Sequence, residues 1–84
     1  MRSTNTTHRK NQLKISHELG QNLRLARINR KLSSREVAER ANISRPTLWK
    51  IEKGSSSVSL GSYLAVLSVF GLEKDLMKIA NENN

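Results

Sequence analysis

Apolar residues in this chain recur every three or four positions and never alternate strictly, which predicts amphipathic helices and no strands. A first helix is expected from Ser16, read as its N-cap, to about Arg30. Its inward stripe is Leu19, Leu23, Ala26 and Arg27, while Leu25 and Ile28 fall outside it. Ser33-Ser34-Arg35-Glu36 has the form of a capping box and opens a second helix, which buries the small face Val37, Ala38 and Ala41. Asn42 tolerates the left-handed conformation that ends a helix abruptly, and Ile43 plugs the turn that follows. Ser44 caps a third helix with Pro46 in its first turn, Leu48 and Ile51 inward, and Gly54 as its stop. After the loop 55–58, Ser59 caps a fourth helix that turns Leu60, Tyr63, Val66, Leu67 and Phe70 inward until Gly71. A last short helix covers about Glu73 to Ala80.

Before this pattern, residues 1–14 are Ser, Thr, Asn, Gln and basic residues with almost nothing to bury, so they read as a flexible basic N-terminal arm. The chain then divides into the arm, one helical domain over 15–80, and a frayed end over 81–84.

The second and third helices, joined by Ala41-Asn42-Ile43-Ser44, make a helix-turn-helix pattern in which small Ala38 permits close approach. At 100° per residue, Arg45, Pro46, Trp49, Lys50 and Lys53 share the face opposite Leu48 and Ile51. A helix presented in this way fits a DNA major groove about 12 Å wide. Arg45 and Lys50, with Pro46 and Thr47 beside them, are the expected base readers, because a guanidinium grips guanine O6 and N7 with two bonds. Ser34, Arg35, Ser44, Trp49, Lys53, Ser56 and Ser57 are the expected phosphate contacts. Ser34 and Arg35 open a helix whose amides face an anion. For Trp49 the plain alternative is packing beneath the arm, and for Lys53 a helix-end charge. Arg24, Arg30 and Lys31 read as a solvated face near the DNA backbone.

Charge sharpens this picture. Lys and Arg number 15 against 7 Asp and Glu, a formal net charge of +8. Residues 1–17 carry Arg2, Arg9, Lys10 and Lys14 with no acid, residues 18–54 are also strongly basic, and residues 55–84 are slightly acidic. The amino-terminal two thirds therefore suit a polyanion. The apolar surplus near the end, Leu64, Val69, Leu76, Met77 and Ile79, suits a dimer or partner interface; the plain alternative is extra core filled from Leu13 and Ile15. With 84 residues and no Cys, the chain has room for one small domain held by packing, without disulfides or thiolate metal sites. His8 and His17 lack neighbours suited to a metal, and no cofactor is expected. No apolar stretch resembles a signal peptide or a membrane span, which suits a cytoplasmic protein.

The stretch from Leu19 to Leu72 resembles the Xre/Cro-like helix-turn-helix family of phage and bacterial regulators. The residues that carry this are Leu19-Gly20, Leu23-Arg24-x-Ala26-Arg27, Leu32 through Ala38, Ile43 through Leu48, Ile51-Glu52-Lys53-Gly54 and Ser59-Leu60. The resemblance implies a five-helix lambda-repressor-like domain, an ion pair between Arg27 and Glu52, and DNA contact by Ser34, Arg45, Pro46 and Lys50. Ser34 stands where the family often has Gln, which shortens or removes a bridge from phosphate to the recognition helix. Trp49 stands where a small polar residue is common. Arg45 through Gly54, followed by Val58-Ser59-Leu60-Gly61-x-Tyr63, is similar to the HipB-type antitoxins encoded beside HipA-like kinases, which dimerise and repress their own operon. A stand-alone Xre-type regulator is the alternative. An RNA-binding module is disfavoured by the scarcity of aromatics, and an enzyme by the lack of acids, His or Cys at catalytic spacing. A single recognition helix reads few base pairs, so the function implies a homodimer on a duplex operator.

Overall fold

The computed structural model describes residues 2–82, with side chains from Thr7 onward. Among the described residues it is all-helical: α1 (Arg2–Asn29), α2 (Ser34–Ala41), α3 (Arg45–Glu52), α4 (Leu60–Val69) and a final 3-10 segment (Glu73–Lys78), five helical elements as expected. The core gathers Leu23 from α1, Val37, Ala38 and Ala41 from α2, Leu48 and Ile51 from α3, and Tyr63, Val66, Leu67 and Phe70 from the α4 region. Leu48, Ile51, Val37 and Val66 are its largest fully buried side chains, so α3 is anchored by the two residues assigned inward.

Local chemistry sets the ends of these helices. The Ser33 hydroxyl accepts from the Glu36 amide at 3.0 Å and the Glu36 carboxylate accepts from the Ser33 amide at 2.9 Å, closing the capping box. Donation from Ser33, its backbone amide foremost, holds the Glu36 carboxyl below the usual glutamate range. At their carboxyl ends, α1 to α4 use one device. A residue with positive φ (Lys31, Asn42, Gly54 and Gly71) turns the chain, and the next amide bonds back to a carbonyl five residues earlier. Lys31 is the member of this set that the sequence pattern does not announce.

The largest departure from expectation is at the amino end. α1 starts at Arg2 rather than Ser16, so the stretch expected to lie outside the first helix continues it. Ser16 lies mid-helix, with its hydroxyl donating to the Leu13 carbonyl at 3.1 Å, a back-bond that replaces the cap the sequence suggested. Two further expectations are corrected. Leu60, the first residue of α4, is 66% exposed rather than inward, and Leu19 lies at the rim of the core, 39% exposed. The last element is a 3-10 segment ending at Lys78. Of the end expected to fray, 83 and 84 lie outside the described residues, and 81 and 82 carry no helix.

α1 crosses the carboxyl end of α3 with nothing between the backbones. A Cβ on Gly20 would sit 2.5 Å from the Gly54 amide nitrogen and 2.8 Å from the Ile51 and Glu52 carbonyl oxygens, and one on Gly54 would overlap the Ser16 carbonyl. Both glycines are buried, so this crossing fixes the position of α3 on the body.

Candidate nucleic-acid interface

α3 stands on Leu48 and Ile51 and turns Arg45, Pro46, Trp49, Lys50 and Lys53 to solvent. Its first turn is tied off locally. The Ser44 hydroxyl accepts from the Thr47 amide at 3.1 Å and pairs with the Thr47 hydroxyl at 2.8 Å, and Thr47 is half-buried. Two of the polar groups expected at DNA are thus already engaged in holding the helix start.

Behind the exposed face lies an open cleft of about 680 Å³ bounded by α1, the start of α2 and α3. It brings together Ser34, Arg45, Pro46, Trp49 and Lys53 from the expected set, and adds Arg24 and Arg27 from α1. Glu52, the acid lining it, is taken up by Arg27: Nε donates to Oε2 at 2.7 Å and Nη2 to Oε1 at 3.0 Å. Nη1 of the same guanidinium donates to the Leu32 carbonyl at 3.2 Å. The Glu52 hydrogen bonds, opposed by partial burial, raise the Arg27 pKa, so this arginine stays charged in any ordinary buffer. With Glu52 neutralised in place, Arg24, Arg45 and Lys53 leave the cleft cationic, the condition for holding a polyanion. The Lys53 ammonium lies 5.4 Å from the Trp49 ring centroid, which places the exposed indole against a charge at the cleft wall.

Other expected residues lie apart from the cleft. Arg35 is exposed and 3.9 Å from Glu39, one turn on, a pairing of small energetic weight at that exposure. Ser57 is bound within its own loop, its hydroxyl 2.8 Å from that of Ser55 and its amide 3.2 Å from the same oxygen. Ser56 is exposed and borders a separate hollow with Arg9, Gln12, Leu13 and Ser16. Arg30 is exposed, as a solvated face requires, and also closes the end of α4. It donates to the Phe70 carbonyl at 3.5 Å and sits 5.2 Å from that ring's centroid.

The expected partner surface is only partly free. Val69 and Leu76 pack on this chain's own core and Leu64 is half-buried, whereas Met77 and Ile79 are exposed. Leu76 also lines an apolar groove of about 270 Å³ with Leu19, Val58, Leu60, Tyr63 and Leu67, assembled from three separate segments. No helix among the described residues is long and apolar enough to cross a membrane.

Sequence reasoning missed Arg24 as a cleft residue. The available signal was its place three residues before Arg27, on the same side of α1.

Comparison with protein families matches the model described as "Helix-turn-helix domain" to residues 18–78. No curated protein matches the chain. The matched stretch runs from just before the Gly20 crossing to the end of the 3-10 segment and contains α2, its turn and α3. The chain belongs to the helix-turn-helix domain family, whose characteristic role is DNA binding.

Proposed function

We propose that this protein is a sequence-specific transcriptional repressor of the Xre type that binds duplex DNA as a homodimer. The observation that carries this is the cationic cleft beside the exposed face of α3. Arg45 and Lys50, with Pro46 and Thr47, read base edges; Ser34, Arg35, Trp49, Lys53 and the loop at Ser56 and Ser57 hold phosphates and set register. Nothing in this role requires a catalytic step, and it belongs in the bacterial cytoplasm.

The narrower reading is an antitoxin that represses its own operon and binds a HipA-like kinase. It rests on the likeness of residues 45–63 to HipB-type proteins, and exposed Met77 and Ile79 favour a protein contact of some kind. A stand-alone regulator is the alternative, and co-purification with the product of the adjacent gene separates the two.

Selection from random duplex oligonucleotides tests the main reading. The expected product is a near-palindromic site whose half-sites lie about 34 Å apart, and a pool that stays random overturns it. Arg45→Ala should then lose about 1 to 3 kcal/mol on the selected site and relax one position. Equal loss on random DNA removes Arg45 from the base readers.

A further inference from the structure

We propose that the amino-terminal half of α1 is a second DNA-binding element, a basic helical strut that lies along the phosphate backbone of the duplex beyond the reach of α3. The proposal rests on the duplex-binding reading above. It concerns residues that precede the stretch matched as a helix-turn-helix domain.

Composition supplies the first reason. Residues 1–17 hold four basic residues and no acid. Arg9, Lys10 and Lys14 are exposed and, among the described residues, take part in no ion pair. Cations left unpaired within a chain are available to an external polyanion.

Helical continuity supplies the second, because the charges ride on a rod. α1 runs unbroken from Arg2 to Asn29, and at 1.5 Å per residue Lys10 lies about 21 Å along the axis from Arg24. Lys10, His17 and Arg24 are seven residues apart, a spacing that drifts only about 20° per step, and Lys14 is one turn from Lys10. Arg24 lines the cleft, and Lys10 lies within about 40° of it around the helix, so the cleft side of α1 carries a cation outward, while Lys14 and His17 border a neighbouring hollow beside Glu18.

The third reason is direction. The backbone contact of Gly20 with Gly54 sets the angle of α1 on α3. Just past that crossing, Arg9, Gln12, Leu13 and Ser16 border a hollow of about 290 Å³ with Ser56, in the loop assigned to phosphate. The rod therefore leaves the body beside the end of the recognition helix.

Each phosphate neutralised contributes about 0.9 to the slope of log K against log salt. On a long duplex carrying the selected site, the triple variant R9Q/K10Q/K14Q is expected to lower that slope by about 2 to 3 and to shorten the protected region on its flanks. Trimming the duplex to the central site is expected to abolish the difference from wild type. Gln12→Pro keeps every charge but breaks the rod, and is expected to lose the flanking protection while circular dichroism shows the rest of the domain folded. Wild-type slope and protection in the triple variant overturn the strut and leave the α3 reading standing. Unchanged protection in Gln12→Pro also overturns it, in favour of a loose basic tail. A triple variant that alters oligomeric state rather than salt slope assigns the arm to a second copy and overturns the proposal. If wild type selects no duplex, the functional reading falls first and the strut with it.

Discussion

Arg27 and Glu52 face each other as a fork on a carboxylate, two hydrogen bonds of 2.7 and 3.0 Å joining helices 25 residues apart in sequence. Their side chains are only 15% and 11% exposed, so neither charge is well hydrated without the other. Arg27→Met should destabilise by about 2 to 4 kcal/mol, slightly under the usual range for a fully buried pair because some water remains. The double variant Arg27→Met/Glu52→Leu should recover most of that loss. Urea midpoints of the two single variants and the double variant check this, and a double variant as weak as the sum of the singles refutes the coupling.

The two glycines with positive φ that end helices should answer differently to alanine. Gly71 has φ +72 and nothing within 4 Å of an added Cβ, so Gly71→Ala should cost about 1 to 2 kcal/mol from the left-handed backbone alone. Gly54 has φ +75 and an added Cβ would strike the Ser16 backbone, so Gly54→Ala should cost at least about 3 kcal/mol and shift α1 against α3. Equal melting temperatures for the two variants contradict this account of the crossing.

Glu36 provides a pH handle. Its carboxyl is held below its ordinary value by hydrogen bonds to Ser33. Because the folded-state pKa is the lower one, the contribution is present above the unfolded glutamate value of about 4.3 and fades as pH falls through the folded value. Ser33→Ala should cost about 0.5 to 2 kcal/mol near neutrality. The gap between wild type and Glu36→Ala should narrow on acidification in this window; a gap that widens there excludes the mechanism.

Trp49 is the single tryptophan and is 62% exposed. On the proposed reading, duplex binding should shift or quench its emission, while Trp49→Ala leaves the urea midpoint within about 0.5 kcal/mol of wild type. As a phosphate-side contact it should lower affinity on selected and random duplexes alike. Emission indifferent to saturating duplex excludes Trp49 from the interface.

What was legible in the sequence is local punctuation. Ser33, Ser44, Ser59, Asn42 and Gly54 announce boundaries through their own hydrogen bonding or backbone freedom, and α2, α3 and α4 lie where those residues imply. The start of α1 was illegible because a serine hydroxyl serves a cap and a mid-helix back-bond equally well. Residues 7–14, all exposed, also show no hydrophobic period by which a solvated helix differs from coil. The outward face of α3 was legible from the spacing of Arg45 and Lys50 around Leu48. The cleft was not, since Arg24, Ser34 and Lys53 come from three helical regions that meet only on folding. Val69 and Leu76 looked surplus until the 3-10 segment folded back and packed on α4.

The glycine contact between α1 and α3 separates two jobs that most helices share. α3 is seated by main chain and by Leu48 and Ile51, and the side chains of Arg45, Trp49, Lys50 and Lys53 stand outside that seat. On the proposed reading, recutting Arg45 and Lys50 would readdress the same scaffold to a different operator, much as a key is recut without changing its bow.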